Sequence, residues 1–176
     1  MIFIEDKNFL NKEQKLFINS FFKKQPFAFY YQEDSVEGDN RSVLIHHLIS
    51  RKKYRDNLPY KMSDFTDSFV DIFNAFMKNN KLEYNEIHRM AVNFSYNNGQ
   101  RKGQVHTDHE YPHKQVLICL NEPLDLDCGT VILDQKNKVV REVKFEQYKG
   151  FMFESTPHYQ LYPRKGIRIM LVTTYV

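Results

Sequence analysis

From Leu82 onward the chain is a succession of short segments rich in Val, Ile, Phe, Tyr and Thr, each closed by a turn signal. Ile87 to Tyr96, Gln104 to His109, Lys114 to Asn121, Gly129 to Asp134, Val139 to Phe145, Phe151 to Glu154 and Gly166 to Val176 all read as strands. Asn97-Asn98-Gly99, Glu122-Pro123, Cys128-Gly129, Gln135-Lys136-Asn137-Lys138 and Pro163-Arg164-Lys165-Gly166 separate them, and these are turn-forming combinations. The half before Leu82 carries helical signals instead. Asn11-Lys12-Glu13-Gln14 has the form of a capping box, followed by Leu16, Phe17, Phe21 and Phe22 near a helical period. Ser63 is a candidate cap for a second helix in which Phe65, Phe69, Phe73, Phe76 and Met77 form one stripe, with Asn79-Asn80 at its end. Such a stripe reads as core packing. Helices first and a dense run of strands after them predict a mostly β antiparallel sandwich or barrel, with helices packed on one sheet.

The 176 residues suit one domain, 1–176, with a helical N-terminal half of about 1–81 and a β core of about 82–176. There is no internal repeat and no linker. A mean hydropathy of −0.60, and no apolar run near the ~20 residues a membrane helix needs, predict a soluble protein. Met1 to Asp6 has neither a basic region nor a long apolar run, so it does not read as a signal peptide. Two cysteines, Cys119 and Cys128, without a CxxC pair, suit a reducing compartment, with the cytoplasm as the default. A net charge of +3 falls short of a dedicated nucleic-acid binder. The basic run Arg51-Lys52-Lys53-Tyr54-Arg55 could touch phosphates, although such runs are ordinarily solvated faces. Neither a glycine-rich phosphate loop nor a Gly-x-Ser-x-Gly elbow is present, so nucleotide-dependent and serine-hydrolase chemistry have no support.

Four of the seven histidines fall between His106 and His158. In a strand, residues i and i+2 share a face, so His106 and Asp108 can offer one imidazole nitrogen and one carboxylate oxygen to a single metal. His-x-Asp alone is common by chance. A third ligand would have to come from a distant strand, leaving the opposite face of the ion open. His158 follows the apolar segment Phe151-Met152-Phe153 and a short loop. Ten residues later Arg168 places one cation inside the apolar run Ile167 to Leu171; it either faces solvent or waits for an anion, because an unpaired buried charge is costly.

His-x-Asp, a histidine about fifty residues later, and Gly-x-Arg with the arginine ten positions after that histidine resemble the Fe(II)/2-oxoglutarate oxygenase superfamily. The segment Met90 to Gly99, with Tyr96 ten residues before His106, looks like the strand and turn that supply a cosubstrate-contacting tyrosine. Leu120 to Pro123, Cys128-Gly129-Thr130 and Lys149 to Phe153 resemble landmarks of the prolyl-4-hydroxylase-like branch. The resemblance spans roughly Ile87 to Thr174, about half the chain. Two departures stand out: Cys119 lies where that branch often has tyrosine, and Cys128-Gly129 where it often has Gly-Gly.

The resemblance implies a double-stranded β-helix, or jelly roll, with His106, Asp108 and His158 as iron ligands. It implies 2-oxoglutarate as cosubstrate, chelating the metal at one end and paired with Arg168 at the other, with Tyr96 near the same anion. The activity implied is a dioxygenase using O2, supported by ascorbate, that hydroxylates a protein side chain or small molecule and releases succinate and CO2. Alternatives are a nucleobase-oxidising member of the superfamily, favoured slightly by Arg51 to Arg55 and Arg101-Lys102, a non-catalytic β-helix binding module, and a cupin-like enzyme that does without 2-oxoglutarate. His109 points away from the ligand face if it lies in a strand, and with His113 it either supports the site or decorates a polar loop. Asn93 is a candidate for the pocket wall. His46, His47 and His88 lack partners at ligand spacing and read as structural or surface residues.

Overall fold

The computed structural model describes residues 2–24, 27–36, 38–97 and 99–176, and among them ten strands and two helices follow one another, with both helices before residue 80. Met1, at the start of the segment tested as a signal peptide, and Asn98, inside the first predicted turn, lie outside the described residues. The order is β1 (Phe3–Asp6), α1 (Lys12–Lys24), β2 (Tyr30–Gln32), β3 (Val43–Ile49), a 3-10 turn (Lys52–Tyr54), α2 (Thr66–Asn79), β4 (Ile87–Tyr96), β5 (Lys114–Cys119), β6 (Gly129–Leu133), β7 (Val139–Lys144), β8 (Gly150–Glu154), β9 (His158–Leu161) and β10 (Ile167–Tyr175).

The helix signals act as their chemistry requires. The Asn11 side chain accepts the Gln14 N–H at 2.8 Å while the Gln14 side chain accepts the Asn11 N–H at 3.0 Å, a reciprocal box that satisfies two otherwise orphaned donors. Ser63 works one turn earlier than expected. Its hydroxyl accepts the Phe65 N–H at 3.2 Å and its carbonyl accepts the Thr66 N–H at 3.1 Å, closing the turn from which α2 starts. Phe69, Phe73, Phe76 and Met77 are buried along one side of α2.

Seven strands form an antiparallel sheet in the order β1-β8-β5-β10-β4-β3-β2, and three form a second in the order β7-β6-β9. Alternation along the strands gives the large sheet two different faces. On the outer one, Met90 and Val92 of β4, Val116 and Ile118 of β5, Met152 of β8 and Ile169 and Leu171 of β10 pack with the phenylalanines of both helices. On the inner one, Leu117, Cys119, Phe151, Phe153, Met170 and Val172 pack with Ile132 and Val143 of the small sheet. Mostly β, two antiparallel sheets face to face with helices on one outer side: this agrees with the jelly-roll expectation.

Three segments differ from the reading of the sequence. The N-terminal half is not wholly helical, since β1, β2 and β3 lie within it. β1 and β2 are too short to show a period, and each is held only as an added edge on β8 and β3. In β3 the pair His46-His47 interrupts an otherwise apolar run. Residues 104–109 do not form a regular strand; Gly103 and His106 touch β9 through separate hydrogen bonds, with the chain irregular between and beyond them. His158 opens β9, a strand absent from the expected set. Among the described residues no helix is long and apolar enough to cross a membrane.

Candidate metal centre

His106 and His158 meet because their backbones pair. The His106 N–H donates to the His158 carbonyl at 3.0 Å and the His158 N–H to the His106 carbonyl at 2.9 Å, an antiparallel couple whose side chains must leave on one face. Their ring centroids are 4.5 Å apart. Asp108 follows on the loop that departs from this bridge, its side chain only 8% exposed, with one carboxylate oxygen 3.5 Å from His158 Nε2. One donor atom from each of the three lies within 4.8 Å of the other two. The expectation that His106 and Asp108 converge through strand alternation is replaced by a bridge and a loop, but the convergence stands.

The charge states suit a divalent cation. His106 Nδ1 lies 3.0 Å from the Gln104 carbonyl and His158 Nδ1 3.0 Å from the Thr156 carbonyl. Each Nδ1 then carries the proton, leaving the Nε2 lone pair for a metal. Burial pushes the His158 imidazole down to about 4 against the pull of Asp108, so it is neutral near pH 7. Burial alone would raise the Asp108 carboxyl, but His158, His106, Arg89 and Arg51 together hold it well below the usual range. One of its oxygens is buried with no hydrogen-bond partner among the described residues. Two imidazoles whose Nδ1 faces a backbone carbonyl and one underused carboxylate could serve as a donor set for one ion with open positions.

These side chains open into a cavity of about 570 Å³ between the two sheets. Arg168, on the inner face of β10, lines the same cavity and is 4% exposed. Its fork is braced from below: Nη1 donates to Gln160 Oε1 at 2.7 Å and Nη2 to Thr130 Oγ1 at 2.8 Å, while Nε has no partner. Among the described residues no carboxylate pairs with it. Gln160 is two residues beyond His158 on β9, so the side chain that braces the guanidinium leaves the strand on the same face as the imidazole. Gln160 and Thr130 are functional candidates missed in the sequence, although His158-x-Gln160 carries the i, i+2 signal that would have found the first.

Tyr96 is not in this cavity. On β4 the inward positions are Arg89, Asn93 and Ser95, and period-two alternation sends Tyr96 to the other face, where its hydroxyl lies 3.0 Å from that of Ser42. The ten-residue interval to His106 matched the family pattern, but the parity of the strand does not. Asn93 does line the cavity, with a buried, unpartnered side-chain oxygen. Arg89, which the sequence reading passed over, is buried there 3.6 Å from Asp108. Arg51 reaches the same point, donating to the Asp108 carbonyl at 3.2 Å.

His109 turns out of the cavity to Thr174, 2.8 Å from its hydroxyl, and stacks on Tyr111 with centroids 4.8 Å apart. His88 and His113 complete this aromatic cluster. His46 packs against the Phe27 ring with centroids 3.9 Å apart and is bonded to the Ala28 carbonyl and the Ser63 hydroxyl, a structural role. His47, by contrast, lines the cavity. Cys119 sits in the inner apolar cluster, its thiol pushed up to about 12 by burial, so it offers neither a phenol nor a thiolate to the site.

No protein-family model matches this sequence, and no curated protein matches it. Solved structures do match in shape. A 2OG-Fe(II) oxygenase family oxidoreductase from Burkholderia pseudomallei superposes with a TM-score of 0.69 at 15% identity, covering 98% of this chain and 84% of that one. A prolyl hydroxylase from Trichoplax adhaerens, solved with a hypoxia-inducible-factor peptide, gives 0.67 at 13% identity over 98% and 82%. A Pseudomonas putida prolyl-4-hydroxylase gives 0.60 at 13% identity over 98% and 91%. The chain therefore has the fold of the 2OG-Fe(II) oxygenases, prolyl hydroxylases among them.

Proposed function

We propose that this chain is an Fe(II)- and 2-oxoglutarate-dependent dioxygenase of the hydroxylase type, acting on a small molecule or a protein side chain. The observation that carries the reading is a conjunction in one cavity: His106, Asp108 and His158 on one side, and a buried guanidinium lacking a carboxylate on the other. A non-catalytic module has no use for either, and an enzyme of this shape working without a dicarboxylate leaves Arg168 without a task.

Bound together, the metal and 2-oxoglutarate would supply an oxidant from O2, with succinate and CO2 as the other products. The chain's own contribution is positional. His106 and His158 would present Nε2, and Asp108 a carboxylate oxygen, each held by the backbone contacts described above. Arg168 would receive the far carboxylate of the cosubstrate on a fork already aligned by Gln160 and Thr130, so little side-chain entropy is lost on binding. Leu117, Met170 and Val172 line the same cavity and keep water from its inner wall. The buried free thiols of Cys119 and Cys128 fit a reducing compartment such as the cytoplasm.

The test is uncoupled turnover. Purified protein with Fe(II), ascorbate, air and carboxyl-labelled 2-oxoglutarate should release CO2 slowly without added substrate, and His158→Ala should abolish the release. Equal release from both, or failure of the wild type to bind 2-oxoglutarate in the presence of Fe(II), overturns the reading.

A further inference from the structure

Of the five residues in the basic run Arg51 to Arg55, two are consumed by the fold. Lys52 and Arg55 both pair with Glu86, and Arg55 also donates to the carbonyls of Ile87 and His88. Arg51 and Lys53 take the opposite side of the 3-10 turn and line the mouth of the metal cavity. Neither has a carboxylate partner among the described residues: Arg51 meets the Asp108 carbonyl, and Lys53 only the ring of Tyr54, 4.8 Å away.

The charge balance of the cavity sharpens the point. Arg51, Lys53, Arg89 and Arg168 face it, against Asp108 as the one carboxylate among its described lining residues. Arg89 is spent on Asp108 and Arg168 on the proposed cosubstrate, so two cations remain at the entrance, and a bound divalent ion would add to the excess. Gln115, fully buried in the same wall, has no hydrogen-bond partner for either amide atom among the described residues. We infer that Arg51 and Lys53 form an anion subsite and that the primary substrate is a small molecule carrying a carboxylate or phosphate group. This rests on the oxygenase reading and names the substrate class for it.

A nucleic-acid backbone fits less well. It needs several cations in a row along one track. The nearby basic residues Arg41, Arg101 and Lys102 are not among the described residues that line the cavity, and Arg101 is held by Asp125 and the Asp127 carbonyl. Two cations without a carboxylate partner among the described residues, side by side on one cavity wall, suit one compact anion.

The probes are inorganic phosphate, N-acetylglutamate and its neutral diamide N-acetylglutaminamide, titrated into the diamagnetic Zn(II) form saturated with 2-oxoglutarate and followed by backbone amide shifts. Phosphate or N-acetylglutamate should shift amides of residues 50–54 saturably and more weakly as salt is raised, and which of them does so identifies the group. Arg51→Gln/Lys53→Gln should weaken that binding by about tenfold or more, while Lys52→Gln leaves it unchanged. The inference is overturned if neither anion binds there, if the neutral amide binds as well as the acid, or if a single-stranded oligonucleotide binds more tightly than both through the same two residues. Cosubstrate loading is measured first in every protein. Failure of loading in the wild type refutes the oxygenase reading itself, whereas normal loading without anion preference refutes only the subsite.

Discussion

Replacing Arg168 by methionine separates a guanidinium that serves a ligand from one that serves the fold. In the free protein the side chain is almost fully buried, donates to Gln160 and Thr130, and has no carboxylate among the described residues. Removing it forfeits two charge-assisted hydrogen bonds of about 1.5–3 kcal/mol each. It also relieves an uncompensated buried cation whose desolvation costs several kcal/mol. The two nearly cancel, so the free variant should melt within a few degrees of wild type. Ligand-bound protein behaves differently. At about 100 times its Kd, 2-oxoglutarate stabilises the wild type by about 2.7 kcal/mol, which for a chain of this length is roughly 5–11 °C in Tm. Truncating one partner of a buried charge pair costs about 2–5 kcal/mol. At the same ligand concentration the variant should then gain no more than about 0.9 kcal/mol, roughly 3 °C. Thermal unfolding with Mn(II), with and without 2-oxoglutarate, reads both numbers. A variant that keeps the full ligand-induced shift removes Arg168 from the cosubstrate. One that unfolds some 10 °C early without ligand shows that the guanidinium holds the two sheets together.

Tyr96→Phe should leave the 2-oxoglutarate shift unchanged, because the hydroxyl meets Ser42 on the far face of β4; a loss of several degrees would mean that the ring turns inward on binding. Gly150→Ala should cost about 1–3 kcal/mol by overpacking, read as a lower denaturant midpoint at constant m, because the added methyl would stand 2.5 Å from the buried Phe76 ring. A neutral result would mean the core under α2 gives way freely. Burial, with the charges of Arg89 and Arg51, pushes His47 down to about 4, whereas the unfolded chain titrates it near ~6.5. The unfolded state takes up the proton first, so this contribution to stability is complete above ~6.5 and is lost as pH falls from there toward about 4. His47→Gln should therefore show a shallower acid decline of Tm than wild type across that window; parallel declines would show that the imidazole is not held neutral.

The parts of this molecule legible in sequence are those written in local chemistry. The Asn11–Gln14 box, the phenylalanine stripe of α2 and the alternation of β4 are each contained within one element, and each can be read without knowing its neighbours. The convergence of His106, Asp108 and His158 was legible through spacing, although the mechanism assumed for it was not the one used: a cross-strand bridge does the work assigned to strand alternation. What escaped was set by pairing partners. β3 is fixed as a strand by β4 beside it, and within Val43–Ile49 the pair His46-His47 masks the apolar signal. Arg89, Thr130 and Gln160 matter only because three strands from two sheets face one cavity. Tyr96 is the instructive miss. An interval borrowed from a family aligned it with the site, but the strand's own inward residues, Arg89, Asn93 and Ser95, already implied that an even-numbered neighbour points the other way.

The position of β10 has a consequence for how the protein is made. It lies between β4 and β5 at the middle of the large sheet, yet comes after both in the chain. Until residues 167–175 leave the ribosome, the nascent chain holds two halves of a sheet with an open seam, and β4 and β5 each expose an unpaired edge. Closing that seam joins segments some eighty residues apart, an entropically slow step that leaves the chain open to association while it waits. Arg168 arrives on that same strand, so a cavity able to bind its anion exists only once the sheet has closed.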